Sequence, residues 1–328
     1  MDQMIKLSII TVNYRAWIPL ERCLNSLMSL QTEDFLLEVI IVDNFSNDGK
    51  LEEFIEKFPS FNFIENSGNY GFSNGNNLGA KYATGDFLMF LNSDTIVSQE
   101  PIESMLNLAQ RNTDYSIISS QQMSLDNKPE NPYGIFPSFW TINSIIKSVY
   151  GLILKNKVSI TCESSNVIFP DWVSGSLILI SRDQFDKING WDEDYWLYFE
   201  DTDLCKKVKE NGGNVAMQCK PAIIHQHGGT TRRTLILTAF YKTMVIISKH
   251  IYFRKHYSGI SHFFLQSFSI LNTLLFENLF QAIFGLIFFP FGSFRKYLYI
   301  YLNILKYYFR TAITQSWFID IRKVKLPE

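Results

Sequence analysis

Three apolar runs stop at polar residues that can do chemistry. The run beginning at Phe87 ends at Asn92, Ser93 and Asp94, LSIITVNY reaches Asn13, and LEVIIVDN reaches Asp43. The run from Phe87 shows no polar alternation, which is how a strand buried on both faces reads. A carboxylate just past such a strand either caps the next turn or meets a ligand, because open α/β sheets bind ligands outside the strand carboxyl ends. If these strands lie parallel, Asn13, Asp43 and Asp94 gather on one edge and converge on one ligand. Asp43 can accept from a uracil or thymine N–H or a ribose hydroxyl; capping the following helix is the alternative.

Other groups lie elsewhere in the chain. NSGNYGFSNGNNLG (66–79) sets four glycines among five asparagines. It is either a long flexible loop or a segment whose backbone approaches a ligand while its amides bond to sugar or base. No Gly-Lys-Ser/Thr follows and GxGxxG is absent, which excludes a P-loop and a dinucleotide fingerprint. In YFEDTDLC, Glu200, Asp201 and Asp203 open a predicted helix, where the dipole alone favours acidic residues. Trp191, Tyr195, Trp196, Tyr198 and Phe199 precede it and suit stacking on sugar rings. PAIIHQHGGT places His225 and His227 two apart, beside glycines, as ligands or as core histidines.

The elements that position these groups alternate. Strands at 7–14 and 37–44 flank a helix over 18–30. A helix over 51–58, a short strand at 62–65, a helix over 76–82, the strand from 87, a helix over 101–111 and a strand at 115–120 follow. This order predicts a parallel sheet flanked by helices. Residues 121–170, with Pro129, Pro132, Pro137 and Pro170, read as loops over the mouth of a site. WVSGSLILISR is a strand, followed by a helix, a turn at Asn189–Gly190 and a second helix from about Glu200.

The 328 residues suffice for one large domain with an appendage, and 46% hydrophobic content with 28 Phe and 16 Tyr excludes disorder. Four cysteines without CxxC spacing indicate neither a zinc site nor a disulfide framework, so reduced thiols are expected. MDQMIKLSII lacks the charged leader and apolar core of a signal peptide, and a cytoplasmic location is the expectation. Charge is uneven: residues 1–230 hold 17 Lys+Arg against 29 Asp+Glu, residues 231–328 hold 13 against 3. A basic tail points to an anionic partner, and its wealth of Phe and Leu favours anionic lipid over nucleic acid. Within Ser261–Phe291, Gln266, Ser269, Thr273, Glu277 and Gln281 make one polar stripe on an otherwise apolar helix. With Glu277 inside it, a simple membrane span is not expected. A helix lying on an anionic membrane is, with a homodimer interface or a helical cap as alternatives.

Taken together, these motifs resemble inverting family 2 glycosyltransferases of the GT-A fold, with a bacterial rhamnosyltransferase-like subgroup nearest. The resemblance covers roughly residues 6–232 and rests on the order of SIITVNY, VDNFSNDG, NSGNYGFSNGNNLG, FLNSDT, WVSGSLILISR, NGWDEDYWLYFEDTDLCKKV and IIHQHGGT. It implies a GT-A domain over 1–232 and a basic helical region over 233–328. It also implies a hexosyltransferase moving a sugar, rhamnose by subgroup likeness, from a dTDP- or UDP-sugar to a glycan or lipid-linked acceptor of surface polysaccharide. On that likeness Thr11 and Asn13 line the nucleotide pocket, Asp43 holds the base, and Asn76 and Asn77 sit by the ribose and diphosphate. Asp94 is the last carboxylate of a DxD-like motif whose first position is Asn92 here. It binds Mg2+ or Mn2+, His225 is the second metal ligand with His227 in reserve, and Asp201 is the catalytic base. Two rivals are weighed. A sugar nucleotidyltransferase needs a glycine-rich basic loop after its first strand, and TVNYRAWIP has no glycine. An inactive glycan-binding or scaffold protein would not need Asp94, Asp201 and His225 together.

Overall fold

The computed structural model describes residues 4–31, 33–141, 162, 166–226 and 234–326. They form two compact units. The first holds described residues up to 136, Cys162, 166–192 and 200–226; the second holds 137–141, 193–199 and 234–326.

The first unit begins with β1 (Lys6–Asn13), α1 (Trp17–Met28), β2 (Leu36–Asp43), α2 (Leu51–Lys57), β3 (Asn62–Glu65), α3 (Phe72–Tyr82) and β4 (Phe87–Leu91). It continues through β5 (Thr95–Ile96), α4 (Gln99–Arg111), β6 (Tyr115–Met123), β7 (Tyr133–Gly134), β8 (Val167–Ile168) and β9 (Trp172–Val173). It closes with β10 (Leu177–Ser181), α5 (Arg182–Lys187), α6 (Glu200–Glu210) and β11 (Asn214–His225). The main sheet runs β3-β2-β1-β4-β10-β6-β11-β5, with β8 also on β11, while β7 and β9 form a separate ribbon. β3, β2, β1 and β4 are parallel, as the alternating pattern predicts. β10 then enters antiparallel between β4 and β6, which makes the sheet mixed. Its first residue, Leu177, pairs with Leu91 at the end of β4. The chain therefore enters β10 from the edge at which β4 ends, and from there it can only run back.

β4 is buried on both sides. Met89 and Leu91 pack with Leu20 and Leu24 of α1 and Met105 of α4. Leu88 and Phe90 pack with Ala80 of α3, Phe185 of α5 and Leu204 of α6. That two-sided burial is why its sequence shows no alternation.

Helix α3 starts at Phe72, four residues before the predicted Asn76. Its glycines serve packing. A Cβ on Gly75 would lie 2.8 Å from Val12 Cγ1, and one on Gly79 2.5 Å from Ile10 Cγ2 and 3.2 Å from Val42 Cγ2. The helix thus lies directly on β1 and β2. Gly79→Ala is expected to cost about 1–3 kcal/mol, the usual toll of overpacking a core. It is read as a lower urea midpoint, and an unchanged midpoint would contradict the close contact.

The expectation of reduced thiols is corrected at two positions. Cys162 and Cys219 are disulfide-bonded across 57 residues with Cα atoms 5.3 Å apart, while Cys23 and Cys205 are free and buried. Only the fold brings so distant a pair together; linear spacing carries no trace of it.

The second unit is helical: α7 (Leu235–His256), α8 (Gly259–Ile287, π-helical over Asn272–Leu279) and α9 (Gly292–Thr314). Tyr195 and Trp196, read from sequence as sugar platforms, are 0% and 4% exposed in its core beside Met244, Ile247 and Tyr252. A ring covered on both faces cannot stack on a sugar, so that reading is withdrawn for these two and for Trp191, 2% exposed in the core of the first unit. The polar stripe on α8 divides: Gln266, Ser269 and Thr273 are buried, whereas Glu277 and Gln281 are exposed. Gln266 Nε2 donates to the His250 carbonyl at 2.9 Å, and His250 Nε2 lies 2.8 Å from the Tyr308 hydroxyl. Burial pushes His250 down to about 3, so this network is neutral at physiological pH.

Candidate active site

The ends of β1 and β2 lie side by side, Asn13 in register with Asp43. Asn13 Nδ2 donates to Asp43 Oδ1 at 3.0 Å, and Asn13 Oδ1 accepts from the Ala16 N–H at 3.1 Å. Asp43 also accepts from the Ser46 N–H (2.8 Å) and hydroxyl (2.5 Å). It thereby pins a turn in which Phe45 and Asn47 adopt positive φ. Arg15 is tied to the same turn, its N–H donating to Ser46 Oγ and its Nε to the Ser46 carbonyl. Its side chain is exposed, which puts a cation at this strand end. Thr11, two residues before Asn13 and on the same face of β1, is buried, and its hydroxyl has no hydrogen-bond partner among the described residues.

The asparagine-rich segment is a built structure. Asn44 Nδ2 donates to Asn69 Oδ1 and the Gly71 carbonyl, and Asn66 Nδ2 donates to Asn44 Oδ1 and Asn74 Oδ1. Asn76 is buried and donates to the Phe72 carbonyl at 3.0 Å. Asn77 holds the backbone of Trp191 at both its N–H (3.0 Å) and its carbonyl (2.9 Å). Gly190 beside it has φ of +63°, and a Cβ there would lie 2.8 Å from Asn77 Oδ1. Both amides therefore have partners within the protein.

Asp94 follows β4 and precedes β5, whose Thr95 pairs with His225 at the end of β11. This places Asp94 Oδ1 3.1 Å from His225 Nε2. The other ring nitrogen, Nδ1, lies 2.8 Å from Gln122 Oε1, and Gln122 Nε2 donates to Ser176 Oγ at 2.6 Å. Glu130 is 3.8 Å from the same Nδ1. With Nδ1–H donated to Gln122, a neutral ring turns its Nε2 lone pair toward Asp94. Those two donors face each other favourably only with a proton or a cation between them. The nitrogen–oxygen pair therefore fits a divalent ion of the Mg2+ or Mn2+ type. No group of three or more His, Cys, Asp or Glu side chains that could hold a metal ion occurs among the described residues, so further ligands of such an ion must come from elsewhere. His227 and the glycines after it lie outside the described residues.

Asp201 stands in the first turn of α6. Its Oδ2 accepts from the Gly175 N–H at 3.1 Å and its Oδ1 from the Thr202 N–H at 2.7 Å. Burial raises its pKa from the ordinary aspartate value, partly offset by those donors. Its two acidic neighbours differ from it. Asp203 is buried, 3.6 Å from Lys207, whose Nζ donates to the Gly190 carbonyl. Glu200 is buried, and desolvation followed by the charges of Asp201 and Asp203 raises its pKa well above normal. Of the three residues, only Asp201 is half-buried rather than buried.

Glu200 gives a sign-definite prediction. A carboxyl whose folded pKa is raised stabilises the fold below its unfolded value of 4.5, and that stability is lost as pH rises through the folded value. Glu200→Gln should therefore raise Tm at pH 7–8, with the gain shrinking toward pH 5. A gain independent of pH across that range would contradict the buried-acid account.

One turn joins the two centres. Within Ser174–Ser176, Gly175 N–H holds Asp201, the Ser176 carbonyl accepts from the Asn92 N–H at 2.9 Å, and Ser176 Oγ holds Gln122 and through it His225. Gln122, Ser46, Arg15 and Glu130 were not singled out in the sequence. The signal for Gln122 was available, since SSQQM on β6 is one more strand that ends in polar residues.

The chain matches the model of glycosyl transferase family 2 over residues 8–173 and that of the N-terminal domain of galactosyltransferase over 157–228. Together with a helix-flanked mixed sheet that carries its polar groups at the strand ends, this defines a GT-A glycosyltransferase fold. The chain belongs to glycosyl transferase family 2. The low-salt glycan biosynthesis hexosyltransferase Agl10 of Haloferax volcanii is 27% identical over 218 residues, 65% of this chain and 64% of the relative. The N-acetylglucosaminyl-diphospho-decaprenol L-rhamnosyltransferase of Mycobacterium tuberculosis is 25% identical over 248 residues, 69% of this chain and 78% of the relative. Among solved structures, GalNAc-T7 with UDP, GalNAc and Mn2+ superposes with a TM-score of 0.54 at 15% identity, over 76% of this chain and 48% of that one. The match thus spans less than two thirds of Agl10 and about half of the GalNAc-T7 chain.

Proposed function

We propose that this protein is an inverting, metal-dependent glycosyltransferase. It moves a sugar from a dTDP- or UDP-sugar to a hydroxyl of a glycan or lipid-linked acceptor in bacterial surface polysaccharide synthesis, at the cytoplasmic face of a membrane. Rhamnose is the sugar we favour, because the Mycobacterium tuberculosis relative is named for it and for a diphospho-decaprenol acceptor. The single observation that carries the reading is the Ser174–Ser176 turn, which holds a lifted carboxylate on one side and an Asp–His pair on the other. Residues 1–232 form the transferase domain in this account and 233–328 its helical appendage.

Each residue then has a task. Thr11, Asn13 and Asp43 line the nucleotide pocket, with Asp43 and its Ser46 turn reading the base. Asn76 and Asn77 shape the wall beside ribose and diphosphate by fixing α3 and the Trp191 turn. Asp94 and His225 would hold Mg2+ or Mn2+, which would supply charge to offset the negative charge growing on the departing diphosphate. Asp201 takes the proton of the acceptor hydroxyl as its oxygen forms a bond to the anomeric carbon and the carbon–oxygen bond to the diphosphate breaks. A raised pKa makes Asp201 a stronger base than an ordinary aspartate. Attack opposite the leaving group inverts the anomeric centre. Release of nucleoside diphosphate across a panel of dTDP-, UDP- and GDP-sugars tests the assignment. The reading predicts turnover with a thymine- or uracil-based donor; turnover confined to a guanine-based donor would overturn the role of Asp43.

A further inference from the structure

Helix α8 is inside-out for a protein surrounded by water. Gln266, Ser269, Asn272 and Thr273 face its own unit and are buried. On the other side, Ile260, Phe264 and Leu271 are 73%, 56% and 52% exposed. A surface helix in water shows the reverse arrangement, with its apolar stripe packed on the core. The pattern culminates where α8 turns into α9, in the sequence LIFFPFGSFRK (286–296). Leu286, Ile287 and Phe291 are each more than 60% exposed, and Phe288 and Phe289 are exposed as well. Arg295 and Lys296 follow at once, and the Arg295 guanidinium lies 5.6 Å from the Phe289 ring. Among the described residues neither cation has an acidic partner. Tyr297, Tyr299 and Tyr301 come next, amphipathic rings that suit the headgroup level.

We propose that this hairpin tip enters one leaflet of an anionic bilayer, with Ile287 to Phe291 among the acyl chains and Arg295 and Lys296 against the headgroup phosphates. An apolar wedge rimmed by cations and tyrosines has the chemistry of a lipid surface, and exposed apolar area of this kind is costly in water. The excess of ten positive charges over residues 231–328 supplies the long-range attraction. Glu277, exposed in the middle of α8, favours entry from one side over full crossing, although the helix is long and apolar enough to span by length and composition. The inference deepens the membrane placement in the proposed function, and it needs no catalysis.

The test is flotation of the full chain with vesicles of phosphatidylcholine alone or mixed with phosphatidylglycerol. Wild type should float at least tenfold better with the anionic vesicles. Ile287→Glu with Phe291→Glu, at exposed positions, should abolish flotation on both, while Arg295→Glu with Lys296→Glu should remove the preference for anionic lipid. No flotation of wild type, or flotation unchanged by the tip variant, overturns the proposal. So does a tip variant that floats normally but turns a dimer into a monomer by light scattering, which would make the tip a contact between copies. UDP and dTDP binding, measured alongside by calorimetry, keeps the two readings separate. Loss of nucleotide binding with intact flotation counts against the donor site and leaves the tip standing.

Discussion

Asp201→Asn is expected to lower kcat by about a hundred- to ten-thousand-fold, the usual value of a positioned general base, while donor affinity hardly changes. The asparagine keeps the shape and can still accept from one of the two N–H groups, Thr202 or Gly175, but it cannot take a proton. Its neighbours serve as internal controls. On a helix, residue 200 points about 100° and residue 203 about 200° away from residue 201. Asp203 faces Lys207, and Glu200 is enclosed. Asp203→Asn should therefore act on stability through the Lys207–Gly190 contact, and Glu200→Gln should leave kcat within a few-fold. Since the base must be ionised, the wild-type rate should fall as pH drops through the raised pKa of Asp201. Near-normal transfer by Asp201→Asn together with a dead Asp203→Asn would move the base along the helix.

Asp94→Asn should reduce turnover by a comparable factor, and EDTA should abolish the wild-type rate, restored by Mn2+ or Mg2+. Two protein ligands hold little metal alone, so tight binding is expected only with the nucleoside diphosphate present. Electron paramagnetic resonance of free Mn2+ reads this without turnover: adding UDP or dTDP should deplete the free signal for wild type but not for Asp94→Asn. Gln122→Leu removes the acceptor that fixes the His225 ring and should weaken Mn2+ binding by about 10–100-fold, the common effect of losing a partner behind a ligand. A wild-type rate indifferent to EDTA would contradict the metal assignment outright.

Much of this arrangement could be read from the chain because a strand buried on both faces must be apolar until it leaves the sheet. Asn13, Asp43 and Asp94 therefore announce their own edge. The acidic opening of α6 and the alternation of strand and helix were visible for similar local reasons. What escaped depends on which neighbour the fold supplies. Gly75 and Gly79 suggest a mobile loop in isolation, yet they bring α3 onto Val12 and Ile10. Tyr195 and Trp196 resemble platforms until a helical core closes over them. The polar stripe of α8 gives its period but not its direction, and three of its five residues turn inward. The Cys162–Cys219 pairing and the reversed β10 are set by tertiary returns of the chain. His225 shows its use only when Gln122 and Asp94 appear on either side of its ring.

The most direct test of the mechanism is the anomeric configuration of the product, followed by proton NMR from the first turnover with whichever donor the panel identifies. A base at Asp201 and a departing diphosphate on the opposite face of the sugar predict a product of inverted configuration and no covalent glycosyl-enzyme. A product that retains the donor's configuration would contradict single displacement at this site.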